Sequence, residues 1–478
     1  MITTDAPSET TRPYSTRLRT ALVLTGTGTA GAYHAGVLRA LHEAGLRVDI
    51  VAGRGIGAVA ALFSAVDGGQ RLWDPAGLWK QGRLAKAYAW RQPLRVAGWA
   101  LVAAAALLAV PLVVFAFGIV AALVAVLLSL VTLDRASTAV TSAYARGLDA
   151  LFSPSALPTV VPRLIVLCLV IAAAALAAGV AGEVWRAPAR RRTRNASLWR
   201  LIGAPCSTRL LLDRTVGELW NLVRGAAAIP PPPRPELGQR YADLLSENLG
   251  QPGFRELLVV THDLDARQDL VFALLSDGFR QRFFARPGGG AGRAAEAIDL
   301  AGAGRDHLID ALAGSLAIPI ATAPHLVRLA ADGPWQGEVH RTCDRAASLR
   351  RLLEEVAAAG AEQLIVVSGA APSARAHDLS TARIDPRGRA AEQLAAFEAA
   401  DLRDALEPAG VFANVYAIRP GHNPVGPLDF AGVYDERSDR PFAVGELVDR
   451  GYEDAYRQFI EPVVAAGADR LAGAAVQS

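Results

Sequence analysis

Two stretches without a charged side chain constrain this chain more than anything else in it. Between Arg95 and Asp134 lie 38 uncharged residues, VAGWALVAAAALLAVPLVVFAFGIVAALVAVLLSLVTL. A second run of 19, LIVLCLVIAAAALAAGVAG, follows Arg163 and ends at Glu183. About 20 apolar residues span a bilayer, so both qualify as transmembrane segments. The competing reading, two buried core helices, is disfavoured because soluble helices of this length are rarely apolar all round. As one helix the first run would extend roughly 57 Å, nearly twice a hydrocarbon core of roughly 30 Å. It is either one long tilted helix, kinked at Pro111, or a hairpin turning near Pro111–Gly118. If the sequence on both sides of this region builds one domain, the crossings must be even in number. One crossing per run satisfies that condition, and a hairpin plus a span does not.

The basic residues give the expected orientation. Arg83, Lys86, Arg91 and Arg95 precede the first run, and Arg186, Arg190, Arg191, Arg192 and Arg194 follow the second. The loop between them, 134–163, has only Arg135, Arg146 and Arg163, with Asp134 and Asp149 against them. The positive-inside rule then puts the loop outside and both large flanks in the cytoplasm. The expected location is the bacterial inner membrane, with the bilayer itself as a partner.

The 478 residues suffice for two or three domains, or for one large domain with an insertion. Lysine and arginine total 49 against 46 acids, a balance that carries no nucleic-acid footprint. Cys168, Cys206 and Cys343 lie far apart without paired spacing, so neither a disulfide framework nor a zinc site is expected. No cofactor or metal is implied. Residues 1–19 are polar, lack the apolar core of a signal peptide, and read as a disordered tail.

Outside the apolar runs, short apolar stretches alternate with helical patterns. TALVLTG and VDIVAG read as buried parallel strands, and GAYHAGVLRALHEAG between them as a helix ending at Gly45. NASLWRLIGAPCSTRLLLDRTVGELWNLVRGA reads as helical, IPPPPRP as a stiff linker, and FARPGGGAGR as a flexible loop. Later strands are expected in RELLVVTHDL, QDLVFALL, LIVVSG and ANVYAIRP. The alternation predicts an α/β fold with a largely parallel sheet. Residues 20–90 form its first part, 91–195 the membrane insertion, and 196–478 the remainder.

Two glycine turns stand where chemistry would sit. LVLTGTGTAGAYHAGVL places Gly26, Gly28 and Gly31 after a strand and at the opening of a helix. That pattern allows a dinucleotide site, an oxyanion hole of backbone N–H groups, or a turn without a ligand. A dinucleotide site wants an acid at the end of the next strand, and the nearest, Asp49, sits at that strand's start. The second turn, VAGRGIGAVA, has the strand–turn–helix build of a nucleophile elbow, Gly-x-Ser-x-Gly. Its glycines are Gly53 and Gly57, and its central position holds Gly55.

Here the sequence resembles the patatin-like phospholipases. Gly26, Gly28, Gly31, Ala32, Tyr33, Gly36, Val37 and Leu38 match the family's first glycine motif and its helix. Gly53, Gly57 and Ala58 match the second. GSLAIP with TAPHLVRLAADGPW, LLVVTHDLDARQDLVF and GYEDAYRQF resemble later family segments in the same order. The resemblance covers about 20–80 and 255–460 and implies a three-layer patatin-like fold interrupted by a transmembrane pair. It implies an oxyanion hole at Gly26, Thr27, Gly28 and Gly31, a serine nucleophile in the second motif, and an aspartate base from a late Asp-Gly turn.

The departures are at the reacting groups. Gly55 has no nucleophile, Thr27 replaces a glycine, and Ala30 stands where the family commonly has arginine. Two residues compete for the base. Asp332-Gly333 spells the motif, but Asp332-Gly333-Pro334-Trp335 fits a preceding hairpin turn better, which moves the base position to Glu338. Asp67-Gly68-Gly69 comes too early and reads as a helix end. Ser64, Ser315 and Ser368 lack any serine-centred pattern, His34 reads as a core histidine, and His340 with Cys343 as part of a polar loop. The expected function is a membrane-anchored patatin-like protein, catalytically impaired and binding a lipid or acyl chain. An active phospholipase or esterase with an unrecognised nucleophile, and a dinucleotide-binding membrane protein, are the alternatives. On this reading Gly55→Ser fits the turn and Glu338→Asp improves it.

Overall fold

The computed structural model describes residues 14–80, 82–152, 160–186, 203–285, 295–331, 335–372, 385–407, 410–435 and 438–465. Residues 1–13 of the expected tail, 195–202 of the helical stretch, 286–293 of the glycine loop and Asp332 lie outside them. The chain divides into two compact units, Trp90–Cys206 and the remainder on either side of it.

The larger unit is built on a mixed, mostly parallel sheet. Strand β1 (Thr20–Thr25) leads through the first glycine turn into α1 (Ala30–Glu43). Strand β2 (Ile50–Arg54) leads through the second into α2 (Gly57–Ala65), followed by the short α3 (Gln70–Trp73). The smaller unit holds α4 (Gln92–Leu130), α5 (Asp134–Phe152) and α6 (Val160–Arg186). The chain then continues through α7 (Arg209–Val223), α8 (Arg234–Asn248), β3 (Glu256–Asp263), β4 (Gln268–Leu274), α9 (Asp277–Phe284) and β5 (Ala295–Asp299). Helix α10 (Leu308–Leu316), the hairpin of β6 (His325–Arg328) and β7 (Val339–Cys343), α11 (Leu349–Ala358) and β8 (Gln363–Ser368) follow. Helix α12 (Pro386–Leu406), β9 (Asn414–Ile418), the small β10–β11 hairpin (Val433–Asp435, Arg440–Phe442), α13 (Glu446–Ala455) and the π-helical stretch Tyr456–Ala465 that continues it follow.

The main path runs β5-β4-β3-β2-β1-β8-β9, with β7 joining β3 and pairing β6. The central β3-β2-β1-β8-β9 ladder is parallel throughout. Both faces of β1 and β2 are buried, which is why they read as continuous apolar runs without alternation. Ala21, Val23, Ile50 and Ala52 point into a core closed by Leu352, Val356 and Leu402 of α11 and α12. Helices α1 and α2 cover the opposite face, so the sheet is the middle of three layers. Because β1 and β2 are adjacent and parallel, their two glycine turns emerge at the same sheet edge.

In the smaller unit α4 is one continuous helix of 39 residues through Pro111, not a hairpin. Helices α4 and α6 are long and apolar enough to cross a membrane. They run antiparallel through small residues: Ala97, Ala100 and Ala172 are buried together, and a side chain on Gly179 would meet Pro93. The unit's ends meet, since Trp90 and Cys206 form an antiparallel bridge and Arg91 N–H donates to the Pro205 carbonyl at 2.8 Å.

Candidate functional site

The two turns are bonded to each other. The N–H of Ile56 donates to the Gly26 carbonyl at 2.9 Å. Gly55 sits in the left-handed region, φ +55°, where L side chains are strained. A Cβ built on it would lie 2.3 Å from the Gly26 oxygen and 2.8 Å from Oδ2 of Asp344. The expectation that serine fits this position does not hold: the space a nucleophile needs is taken by a backbone oxygen and a carboxylate.

That carboxylate is the residue the sequence reasoning missed. Asp344 directly follows β7, and its N–H is tied to the Ala317 carbonyl at 2.8 Å. Glu338 is at the opposite end of the same strand, 68% exposed, with Oε2 3.4 Å from Nε2 of His340. At about 3.3 Å per residue the strand separates Glu338 from Asp344 by close to 20 Å. Asp344, not Glu338, faces Gly55.

Arg54, between the elbow glycines, holds Asp344. Its Nη1 lies 3.0 Å from both carboxylate oxygens, its Nε donates to Thr25 Oγ1 at 2.8 Å, and its Nη2 lies 3.5 Å from Oε1 of Glu398 on α12. Thr27 Oγ1 donates to Asp344 at 3.4 Å. Arg54 is only 1% exposed, and Asp344 and Glu398 are buried with it. Burial opposes the charge on Arg54, but Asp344, Glu398 and Asp401 outweigh it and push its pKa up. Burial likewise raises Asp344 and Glu398 above the ordinary carboxylate range, with Arg54 pulling against it in both. Burial pushes Asp401, one turn along α12, up to about 6. Arg54 is thus the cation these acids share, and Asp344 and Glu398 lose their ion-pair partner if it is removed.

The first turn is also occupied. In a nucleophile elbow the N–H after the nucleophile supplies part of the oxyanion hole. Here that group, on Ile56, is spent on Gly26. Thr29 N–H donates to Pro427 O at 3.1 Å and its hydroxyl to Gly426 O at 2.9 Å. A Cβ on Gly28, φ +59°, would fall 1.8 Å from Pro427 O, so the 426–430 segment can close down only over glycine. Gly31 is packed against Trp79 and Ile56, and Trp79 and Tyr88 pack on Phe430. Gly53 and Gly57 hold α2 close against the strands: a Cβ on Gly57 would meet Leu24 O at 1.9 Å.

The other candidates find structural roles. His34 is fully buried, with Nε2 3.1 Å from Thr25 O, and burial lowers its pKa to about 4. Ser315 donates to Ala311 O and Ser368 accepts from Ala370 N–H. Ser64 lines a cavity of about 40 Å³ with His42, Asp67 and Arg255, away from the turns and in mid-helix, where no glycine turn supplies oxyanion donors. Asp49 accepts from Thr20 N–H and Arg47, so it is engaged at the strand's start. Among the described residues no cluster of His, Cys, Asp and Glu could hold a metal ion.

Two glycine turns thus lie side by side at the edge of a parallel sheet, each opening a helix. The model of the patatin-like phospholipase family matches residues 22–243 of this chain. The match ends before Asp344 and Glu398, whose place in the site rests on geometry alone. Eight solved chains are similar, among them the crystal structure of VipD from Legionella pneumophila. That likeness has 16% identity and a TM-score of 0.28 and covers 92% of this chain and 66% of the other, just under two thirds of its length. A likeness this loose bears no weight here. No curated protein matches.

Proposed function

We propose that this chain is a membrane-anchored patatin-like protein that does not hydrolyse esters. The observation that carries the reading is Arg54 clamping Asp344 against a glycine in the nucleophile position. A dyad needs a hydroxyl at 55, a free carboxylate beside it and unspent N–H donors. Position 55 has no hydroxyl, the carboxylate facing it is clamped by Arg54, the N–H of Ile56 is spent on Gly26, and a buried ion cluster occupies the place. The packing of Trp79, Phe430 and Pro427 on the first turn argues against an acyl chain or a pyrophosphate at that turn. Lipid contact falls instead to the apolar helices α4 and α6, which anchor the protein. The arginine asymmetry supports an arrangement with the α/β unit in the cytoplasm of a bacterial cell and the protein in the inner membrane. The test is hydrolysis of short and long acyl esters by the full-length protein, with fluorophosphonate labelling alongside. Neither should exceed the buffer and heat-denatured controls. Turnover abolished by the probe, with the label on Ser64 or another serine, would restore the reading of an active hydrolase with an unrecognised nucleophile.

A further inference from the structure

Resting on the membrane reading above, the length of α4 poses a problem that its neighbours resolve. Gly179 opposite Pro93, and Ala172 beside Ala97 and Ala100, fix the antiparallel register, so the start of α6 is level with about Pro111. The apolar part of α6, Val160–Gly182, has 23 residues. At about 1.5 Å each they suffice for one bilayer, and residues 92–111 of α4 lie beside them. Residues 112–130 then extend beyond α6. Leu112, Phe115, Phe117, Leu123, Leu127 and Leu130 among them are exposed. Among the described residues of the unit, α5 folds back along them: Tyr144 Oη donates to Val114 O at 3.0 Å and packs on Gly118.

Charge marks the boundary. Arg146 and Asp149 of α5 fall within about two turns of the Pro111 level, by helical spacing from Tyr144. Arg163, near the start of α6, is at the same level. Charges in hydrocarbon are costly, so this belt belongs at the membrane surface. The two halves of α4 therefore cannot lie in line across one bilayer, and a tilt large enough to take up the whole helix would exceed the roughly 0–40° seen for membrane helices. The two-helix stem, moreover, is divided by its own sequence. Residues 112–130 are apolar on every side, whereas α5 turns Arg135, Thr138, Ser142 and Arg146 outward.

We infer that α4 bends at Pro111 and that 112–152 lies along the outer membrane surface as an amphipathic hairpin. The apolar second half of α4 sinks into the headgroup boundary, and the polar face of α5 stays in water. Proline inside a helix removes a backbone bond and is a recognised site of sharp kinks. An interfacial helix buries its apolar face only about 5–10 Å deep.

The experiment places a fluorophore on cysteine at Phe117, Leu123 or Leu130 in the full-length Cys168→Ala protein; Cys206 and Cys343 are buried and stay native. A label at Val170, in mid-α6, serves as control. The protein is reconstituted in phosphatidylethanolamine–phosphatidylglycerol vesicles carrying nitroxide lipids at shallow or deep positions. The three α4 labels should report one common shallow depth, quenched about twofold more by the shallow nitroxide, with Val170 quenched mainly by the deep one. Depths that progress by about 20 Å from 117 to 130 would mean a straight helix and overturn the inference. So would labels that escape both quenchers while the same cysteine variants, left unlabelled, form disulfides between two copies under oxidation. A Val170 label untouched by the deep nitroxide would sink the membrane reading itself.

Discussion

The two units bury opposite things. In the α/β unit Arg54 and two carboxylates lie inside, under a surface of mixed polarity. In the helical unit the buried side chains are mostly alanines, and Trp99, Leu112 and Phe115 are outside. A water-soluble domain tolerates buried charge only where each ion is paired and hydrogen-bonded. A helix pair with its apolar groups outside has the composition of a membrane-spanning pair, in which close approach of small residues supplies the contact that hydrophobic burial cannot. The exposed apolar helices and the two glycine turns thus belong to different units of this chain.

The contrast breaks most readily at Arg54. Arg54→Ala should leave Asp344 and Glu398 buried without a counter-charge and cost about 3–5 kcal/mol, read as a large fall in the thermal midpoint of the α/β unit in detergent. A loss no larger than for an exposed arginine such as Arg209 would mean the cluster is not holding the fold. In the helical unit, Val170→Lys should cost about 2.5–3.5 kcal/mol of insertion and lower the carbonate-resistant membrane fraction. The protein should otherwise remain foldable, and an unchanged fraction would count against α6 as a span. Gly55→Ser is expected to destabilise by about 1–3 kcal/mol through strain and crowding, and to stay inactive and unlabelled. Adding Glu338→Asp should change nothing, because Glu338 is remote from the turn; activity in the double variant alone would return Glu338 to the site.

The smallest effect is in pH. Asp401 has its folded pKa raised from 3.8 to about 6. Its stabilising contribution is therefore complete below the ordinary carboxylate pKa and is lost as pH rises through about 6. Asp344 and Glu398 shift in the same direction. Asp401→Asn mimics the neutral form, so it should gain stability relative to the native protein between about pH 4 and about pH 7. Parallel pH profiles for the two proteins would show that Asp401 does not titrate in this window.

The sequence carried the fold because its signals are local. Apolar strand runs, glycine turns and uncharged helices each announce themselves within 10 to 40 residues, roughly the scale of the periodicity they rest on. The site was less legible because it is assembled from afar. Asp344 is followed by Arg345-Ala346 and not by glycine, while the Asp-Gly spelling at 332–333 lies in a segment outside the described residues. Glu398 comes from a helix in another layer, 344 residues away from Arg54. One signal was present: an arginine at the end of a fully buried strand, between two glycines, demands a buried counter-charge. Asp344, at the end of a strand that reaches the same sheet, meets that demand.

The bridge between Trp90 and Cys206 has a further consequence in time. Strand β2 has only β1 beside it until β3 is made, and β3 begins about 200 residues after β2 ends. At roughly 5–20 residues per second, the ribosome takes about 10–40 s to supply that partner. During this interval a nascent β1–α1–β2 fragment has both strand edges open. The doorway formed by residues 90 and 206 then returns the chain to its starting point. The second half of the domain therefore resumes from the point in the chain where the first half stopped.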